Sequence, residues 1–326
     1  PILTDNEIEK RLEGRRAFAS GHFEGQQLPD FSAIPGQISP SEGNYLHWLL
    51  SNWFTGRGDV VELGTWLGLS TVHLAQGIRD SGIRDRKLHC YDRYIWDGWA
   101  DNKKSGLDLE KGADFKPFFE SNIRDYADEI NVTCADYKSI NWSAGPIEVL
   151  FLDAPKNAFG FHATFRAFGP HLIPDESVVA FQDYLHPLSY ELAFCIHRIR
   201  EKLECCHVVL DGGTVSFRLK EPMVKHDWAL KKLRFDRLSE KEIMDAWDYI
   251  LAPLPGTAGL RFSAGRAIHL CDAGHVGLAR EIMTQLTFDK RMMDVWSFWG
   301  MQAPLLERCR PLFDVFYARF PNVRRA

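Results

Sequence analysis

The stretch Val60-Val61-Glu62-Leu63-Gly64-Thr65-Trp66-Leu67-Gly68-Leu69-Ser70-Thr71 decides how the chain is read. An apolar run of strand type, Asp59-Val60-Val61, leads into an acid, two glycines and a Ser-Thr pair. Val72, Leu74, Ala75 and Ile78 follow at helical spacing. The local structure this predicts is strand, tight turn, helix. The glycines let the backbone approach a ligand closely, and the helix start offers N–H groups to an anion. A dinucleotide fingerprint would read G-x-G-x-x-G. Here the pattern is G-x-x-x-G with Glu62 just before it.

Downstream, strands and helices alternate. Lys87-Leu88-His89-Cys90-Tyr91-Asp92 reads as the second strand. An acid at such a strand end, roughly 20–30 residues past the glycine turn, can accept both ribose hydroxyls of an adenosine cofactor. A turn Asp looks the same, so Asp92 carries both readings. A helix through Phe115, Phe119 and Ile123 precedes strand Ile130–Ala135, which ends at Asp136-Tyr137. Strand Ile147–Leu152 ends in Asp153, and strand Glu176–Phe181 ends in Gln182-Asp183. A helix is expected through Phe161, Phe165 and Phe168, and another over residues 188–204. Cys206–Leu210 and Thr214–Leu219 then flank Asp211-Gly212-Gly213, a short hairpin turn. Alternation of this kind predicts an α/β, doubly wound, mostly parallel sheet with ligands at the carboxyl ends of the strands. Between Arg93 and Ala113 the pattern breaks. Tyr94, Trp96 and Trp99 alternate with Asp97, Asp101, Asn102, Lys103 and Lys104. Such a loop is either an aromatic lid over a substrate or a surface insertion whose rings pack on the domain.

Glu62-Leu63-Gly64 through Ser70 resembles motif I of the class I S-adenosylmethionine-dependent methyltransferases, in the E-L-G-x-x-x-G-x-S form of the small-molecule O-methyltransferases. Upstream, Ser39-Pro40-Ser41-Glu42-Gly43 opens a helix carrying Tyr45, Leu46, Leu49 and Leu50, with Ser39 or Ser41 as its cap. That segment resembles the S-x-x-E-G helix preceding motif I in the catechol and caffeoyl-CoA O-methyltransferases. The resemblance covers about residues 37–220 and implies a Rossmann-like, seven-stranded sheet closed by an antiparallel hairpin. It implies S-adenosylmethionine as cofactor, held by Ile38, Glu62, Gly64, Thr65, Gly68, Ser70, Asp92, Asp136, Tyr137 and Asp153.

The chemistry is expected at Asp153-Ala154-Pro155-Lys156. Methyl transfer needs an aligned nucleophile and removal of its proton. A lysine of lowered pKa or a bound divalent metal can assist an oxygen nucleophile. The D-x-x-K arrangement resembles the same two families, which implies Asp153 as metal ligand and Lys156 as base. In those families the next strand ends in Asp-Asn, and in the macrocin-type sugar O-methyltransferases in Asp-Asp. Here Gln182 stands before Asp183, and an amide oxygen brings no charge to a hard cation. Asp153, Gln182 and Asp183 therefore either hold magnesium or another divalent ion weakly, or cap the cofactor pocket without one. His186 is the base candidate for a metal-free site.

Residues 221–326 read as an all-α appendage. Ser239-Glu240-Lys241-Glu242 is a capping box, Phe262–Cys271 and Val276–Leu286 flank Gly274 as a helix pair, and Met292–Trp299 and Leu305–Phe320 continue helical spacing. Homodimerisation, substrate recognition or partner binding would suit it. Residues 1–36 form a helical arm and linker, 37–220 the cofactor domain and 221–326 the helical region. At 45% hydrophobic and 25% charged residues the chain is a globular protein. Its net charge of −5 implies no basic face, which argues against nucleic acid or an anionic membrane as partner. No apolar run reaches membrane-spanning length. The chain opens at Pro1 without a signal-like segment, which reads as a trimmed or processed start. Seven cysteines without a C-x-x-C pair point to a reducing, cytoplasmic setting and away from zinc. The expected activity is methyl transfer to the hydroxyl of a small molecule, a phenol, catechol or sugar. The alternative is a catalytically silent cofactor-binding module whose helical region recruits a partner.

Overall fold

The computed structural model describes residues 28–98, 107, 109–209, 212–229, 234–254 and 256–288. Residues 1–27 of the expected arm and linker, Trp99 with Asp101–Lys104, the hairpin residues Leu210 and Asp211, Cys309, and the helices expected at 292–299 and 305–320 lie outside the described residues. Two compact units emerge. The first comprises residues up to Pro155, His162–Gln182 and Glu201–Trp228; the second comprises Lys156–Phe161, Asp183–Arg200 and the chain from Ala229 onward.

In the first unit, strands β1 (Asp59–Leu63), β2 (Leu88–Asp92), β3 (Ile130–Cys134), β4 (Ile147–Leu152), β5 (Val178–Phe181), β6 (Leu203–Val208) and β7 (Val215–Leu219) form one sheet. Their order is β3-β2-β1-β4-β5-β7-β6. The first five run parallel, and β7 is antiparallel to both β5 and β6. All residues of β1, β4 and β5 are buried, as expected of parallel strands covered on both faces. The order places β1 and β4 side by side in the middle, so the chain leaves them at the topological switch point where such sheets bind ligands.

Helix α1 (Pro40–Trp48) starts on a capping box: Ser39 Oγ accepts from the Glu42 N–H while the Glu42 carboxylate accepts from the Ser39 N–H at 2.8 Å. Its proline stands where the missing N–H is not needed. Glu42 does more than cap. Its buried Oε1 accepts from the backbone N–H of Gly213 (2.9 Å) and Thr214 (3.0 Å) and from the Thr214 hydroxyl (2.6 Å). Gly43 lets α1 lie on helix α2 (Leu69–Ser81), since a Cβ there would come within 2.5 Å of the His73 ring. The Ser-x-x-Glu-Gly segment thus joins α1, α2 and the β6–β7 turn. Replacing Glu42 by Ala strands several buried donors and is expected to lower unfolding free energy by about 3 kcal/mol. A fall in urea midpoint at unchanged slope is the measurement that checks it.

One expectation changes. Leu203 and Glu204 belong to β6 rather than to the end of a helix over 188–204. Helix α5 occupies Tyr190–Arg198, α3 being Lys116–Ile123 and α4 Ala158–Phe168. Leu203 continues a helical apolar spacing from Ile199, but Leu203 and Glu204 pair with Leu219 and Arg218, and a register shift between Cys205 and His207 carries the strand on. The Tyr94–Trp96 segment, open between lid and packing, packs. Tyr94 and Trp96 are buried, and Trp96 N–H donates to Ala113 O and Gly112 N–H to Trp96 O.

The second unit contains α5 and the helices α6 (Glu240–Leu251), α7 (Gly256–Asp272) and α8 (Val276–Phe288). The Ser239–Glu242 capping box starts α6, and Gly274, at φ +90°, breaks the chain between α7 and α8. Ile243, Trp247, Phe262, Ile268 and Met283 are buried in it. Among the described residues no helix is long and apolar enough to cross a membrane.

Candidate functional site

Left-handed backbone gathers after β1 and β2. Gly64 (φ +91°), Trp66 (+43°) and Gly68 (+97°) follow β1, and Tyr94 (+57°) follows β2. Trp66 and Tyr94 are large side chains in a region that costs them free energy, a pattern associated with ligand-binding turns. Gly64 is glycine for two reasons. Its φ is left-handed, and a Cβ would lie 2.9 Å from the Ala154 N. The carbonyl of Leu63 accepts from both Asp153 N–H (2.9 Å) and Ala154 N–H (3.0 Å), which draws the end of β4 against the turn.

Asp92 organises this turn. Its Oδ2 accepts from the N–H of Thr65 (2.9 Å) and Trp66 (3.2 Å), and its Oδ1 from Tyr94 N–H (2.9 Å). A carboxylate has about four acceptor positions, so one remains for a ribose hydroxyl. Gly68 caps α2 without a side-chain bond, leaving its first-turn N–H groups to face an anion. A nucleoside carrying an amino-acid carboxylate fits this donor and acceptor set. Thr65 is buried, with its hydroxyl 3.4 Å from the Tyr94 oxygen. At the end of β3, Asp136 accepts from Lys138 N–H at 2.9 Å and holds the turn on which half-buried Tyr137 sits. Ile38 is half-buried against the core of the first unit.

Glu62 and Ser70 lie differently from a ligand contact. Glu62 is fully buried; Ser70 Oγ donates to its Oε1 (2.6 Å), Thr71 Oγ1 to its Oε2 (2.7 Å), and Cys90 Sγ lies 3.4 Å away. The acid ties the start of α2 to β1 from inside. Thr71 and Cys90 were not expected in this set; the Ser-Thr pair in the opening stretch was the available signal for Thr71. Burial pushes the Glu62 carboxyl up to about 7, against the hydroxyl bonds that favour its charged form. A group whose folded pKa is raised binds its proton more tightly when folded. Its stabilising contribution is full below the unfolded value near 4.5 and disappears as pH rises through about 7. The loss amounts to about 3 kcal/mol. Between pH 5 and 8, wild-type stability is expected to fall more steeply than that of Glu62→Gln, measured by urea titration.

In the second unit the Lys156 ammonium lies 3.3 Å from Asp183 Oδ2, both side chains partly exposed. Asp183 has φ +56° and Lys156 follows Asp153 by three residues, so the pair sits in the segments leaving β5 and β4. His186 Nδ1 accepts from Leu188 N–H at 3.2 Å. The neutral tautomer this requires carries hydrogen on Nε2 and presents a donor rather than a proton acceptor. Gln182 is buried, and its N–H donates to Leu152 O at 3.0 Å, tying the end of β5 to β4. Among the described residues no three His, Cys, Asp or Glu side chains group as metal ligands.

Residues 61–184 match the family model described as a methyltransferase domain. No curated protein sequence matches the chain. Among solved structures, the O-methyltransferase NovP is 16% identical, with 67% of this chain and 98% of that one covered at a TM-score of 0.46. The Podospora anserina methyltransferase PaMTH1 is 12% identical, with 67% and 89% covered at 0.41. A methyltransferase from Geobacter sulfurreducens is 14% identical, with 68% and 98% covered at 0.40.

Proposed function

We propose that this chain, which matches a methyltransferase-domain family model over residues 61–184, is a class I S-adenosylmethionine-dependent enzyme that methylates a hydroxyl oxygen of a small molecule and uses Lys156 to take the proton. The observation that carries this reading is the Lys156–Asp183 pair at 3.3 Å. S-adenosylmethionine supplies a methyl group on a cationic sulfur, which an oxygen nucleophile displaces. Asp92 and the Gly64–Gly68 turn bind and orient it. Lys156 Nζ, once it has released its own proton to solvent, accepts the hydroxyl proton as the oxygen–carbon bond forms, and the Asp183 carboxylate stabilises the ammonium that is regenerated. A phenol, with a pKa of about 10, needs this help at neutral pH, and a sugar hydroxyl needs it more.

A divalent cation on Asp153, Gln182 and Asp183 fits poorly. Of its two carboxylates one already faces an ammonium, and Gln182 is a buried neutral amide. Methyl transfer from labelled S-adenosylmethionine to a panel of catechols, phenols and sugars is expected to persist in EDTA. Activity lost in EDTA and restored by magnesium would overturn the metal-free route. A silent binding module would have no use for an ammonium held on a carboxylate.

A further inference from the structure

The segment carrying Asp183 and His186 is anchored on α7. Asp183 has left-handed backbone, which a non-glycine residue keeps only when its surroundings hold it. Next to it, buried Tyr184 packs its ring 5.3 Å from that of Phe262. Pro187 runs across α7 at Gly265, where a Cβ would come within 3.1 Å of the Pro187 O and 2.8 Å of the Trp247 ring. The Tyr190 hydroxyl donates to the Asp272 carboxylate, and its ring stacks on that of His269 at 4.9 Å. Lys156 is tethered to the same unit, because the Ala158 N–H donates to Glu191 Oε2 on α5 at 3.1 Å.

The anchor also contains a feature that costs stability. His269 is fully buried and its Nδ1 accepts from the Trp247 indole N–H at 3.2 Å. Its Nε2 therefore carries the hydrogen, and that buried atom has no hydrogen-bond partner. Burial pushes its pKa down to about 3, so the ring stays neutral beneath Tyr190. An orphaned donor of this kind is costly to keep. The indole and the Tyr190 ring hold the imidazole in this orientation.

We infer that α7 is a positioning element for the Lys156–Asp183 pair, with Gly265 and Asp272 as its positioning residues, acting through Pro187 and Tyr190. The inference rests on the reading of Lys156 as proton acceptor. Displacing a catalytic group by about 1 Å can cost on the order of 100-fold in rate.

The test uses the full chain, with S-adenosylmethionine and the acceptor from the panel that is turned over fastest. Gly265→Ala and Asp272→Leu are expected to lower kcat by about 10- to 100-fold while leaving cofactor affinity by calorimetry near wild type, with a lowered thermal midpoint but cooperative unfolding retained. Asp272→Asn, whose amide oxygen still accepts from Tyr190, is expected to restore most of the kcat lost in Asp272→Leu. Should Asp272→Leu not fold, Tyr190→Phe removes the same bond and keeps the ring. Wild-type kcat in both Gly265→Ala and Tyr190→Phe would overturn the inference. So would a fall of cofactor affinity in step with kcat. Lys156→Met run alongside separates the two levels: full turnover there defeats the proton-acceptor reading itself, whereas an inactive Lys156→Met beside fully active α7 variants defeats only the positioning role.

Discussion

Lys156→Met is expected to lower kcat about 1,000-fold, within the range general-base catalysis supplies, while S-adenosylmethionine still binds as in wild type. Methionine keeps the length and apolar stem of lysine and removes the amine. The split between turnover and cofactor affinity follows from the separate roles proposed for the groups. Lys156 pairs with Asp183 in the second unit, whereas the glycine turn and Asp92 belong to the first. Lys156→Arg refines the result. A guanidinium keeps the charge beside Asp183 but does not give up its proton at neutral pH. Activity retained in Lys156→Arg would make the residue an electrostatic stabiliser of the developing oxyanion, and activity lost would leave proton acceptance as its role. Steady-state turnover and calorimetric titration of the same preparations decide between them.

Gly64→Ala is expected to abolish measurable cofactor binding and to destabilise the fold by about 3 kcal/mol. Two effects add. A left-handed backbone at φ +91° disfavours any Cβ, and that Cβ would meet backbone, the Ala154 N at 2.9 Å, which cannot swing aside. Gly82 provides an internal control, because it has φ +80° and no atom within 4 Å of an added Cβ. Gly82→Ala should cost only the backbone term, about 1 kcal/mol, and leave cofactor binding intact. Equal destabilisation by the two substitutions, read from urea midpoints, would show that the close approach of β4 to the turn contributes nothing.

The glycine turn was readable because its signal is local. Strand, glycine spacing and helix periodicity occupy one continuous stretch, and left-handed glycines at 64 and 68 follow from them. The alternation of strands and helices gave the sheet for the same reason. The part played by Glu62 was not readable. An acid before a glycine turn looks like a ligand for a cofactor, and only the fold of α2 back over β1 shows Ser70 and Thr71 turned inward to it. Glu42 is similar: its capping box is local, but its bonds to Gly213 and Thr214 reach to the far end of the domain sequence. At Leu203 a helical spacing and a strand register coincide, and pairing with Leu219 decides for the strand. The anchoring of the Asp183 segment depends on Tyr190 meeting Asp272, 82 residues later, which no spacing rule reveals.

We propose that the carboxyl ends of β1 and β2 bind S-adenosylmethionine through Asp92 and the glycine turn. Calorimetric titration of S-adenosylmethionine into the full chain and into Asp92→Ala tests it most directly. Saturable one-to-one binding by the wild type, lost in Asp92→Ala, is the expected result. No binding by the wild type, or the same affinity in Asp92→Ala, would contradict it.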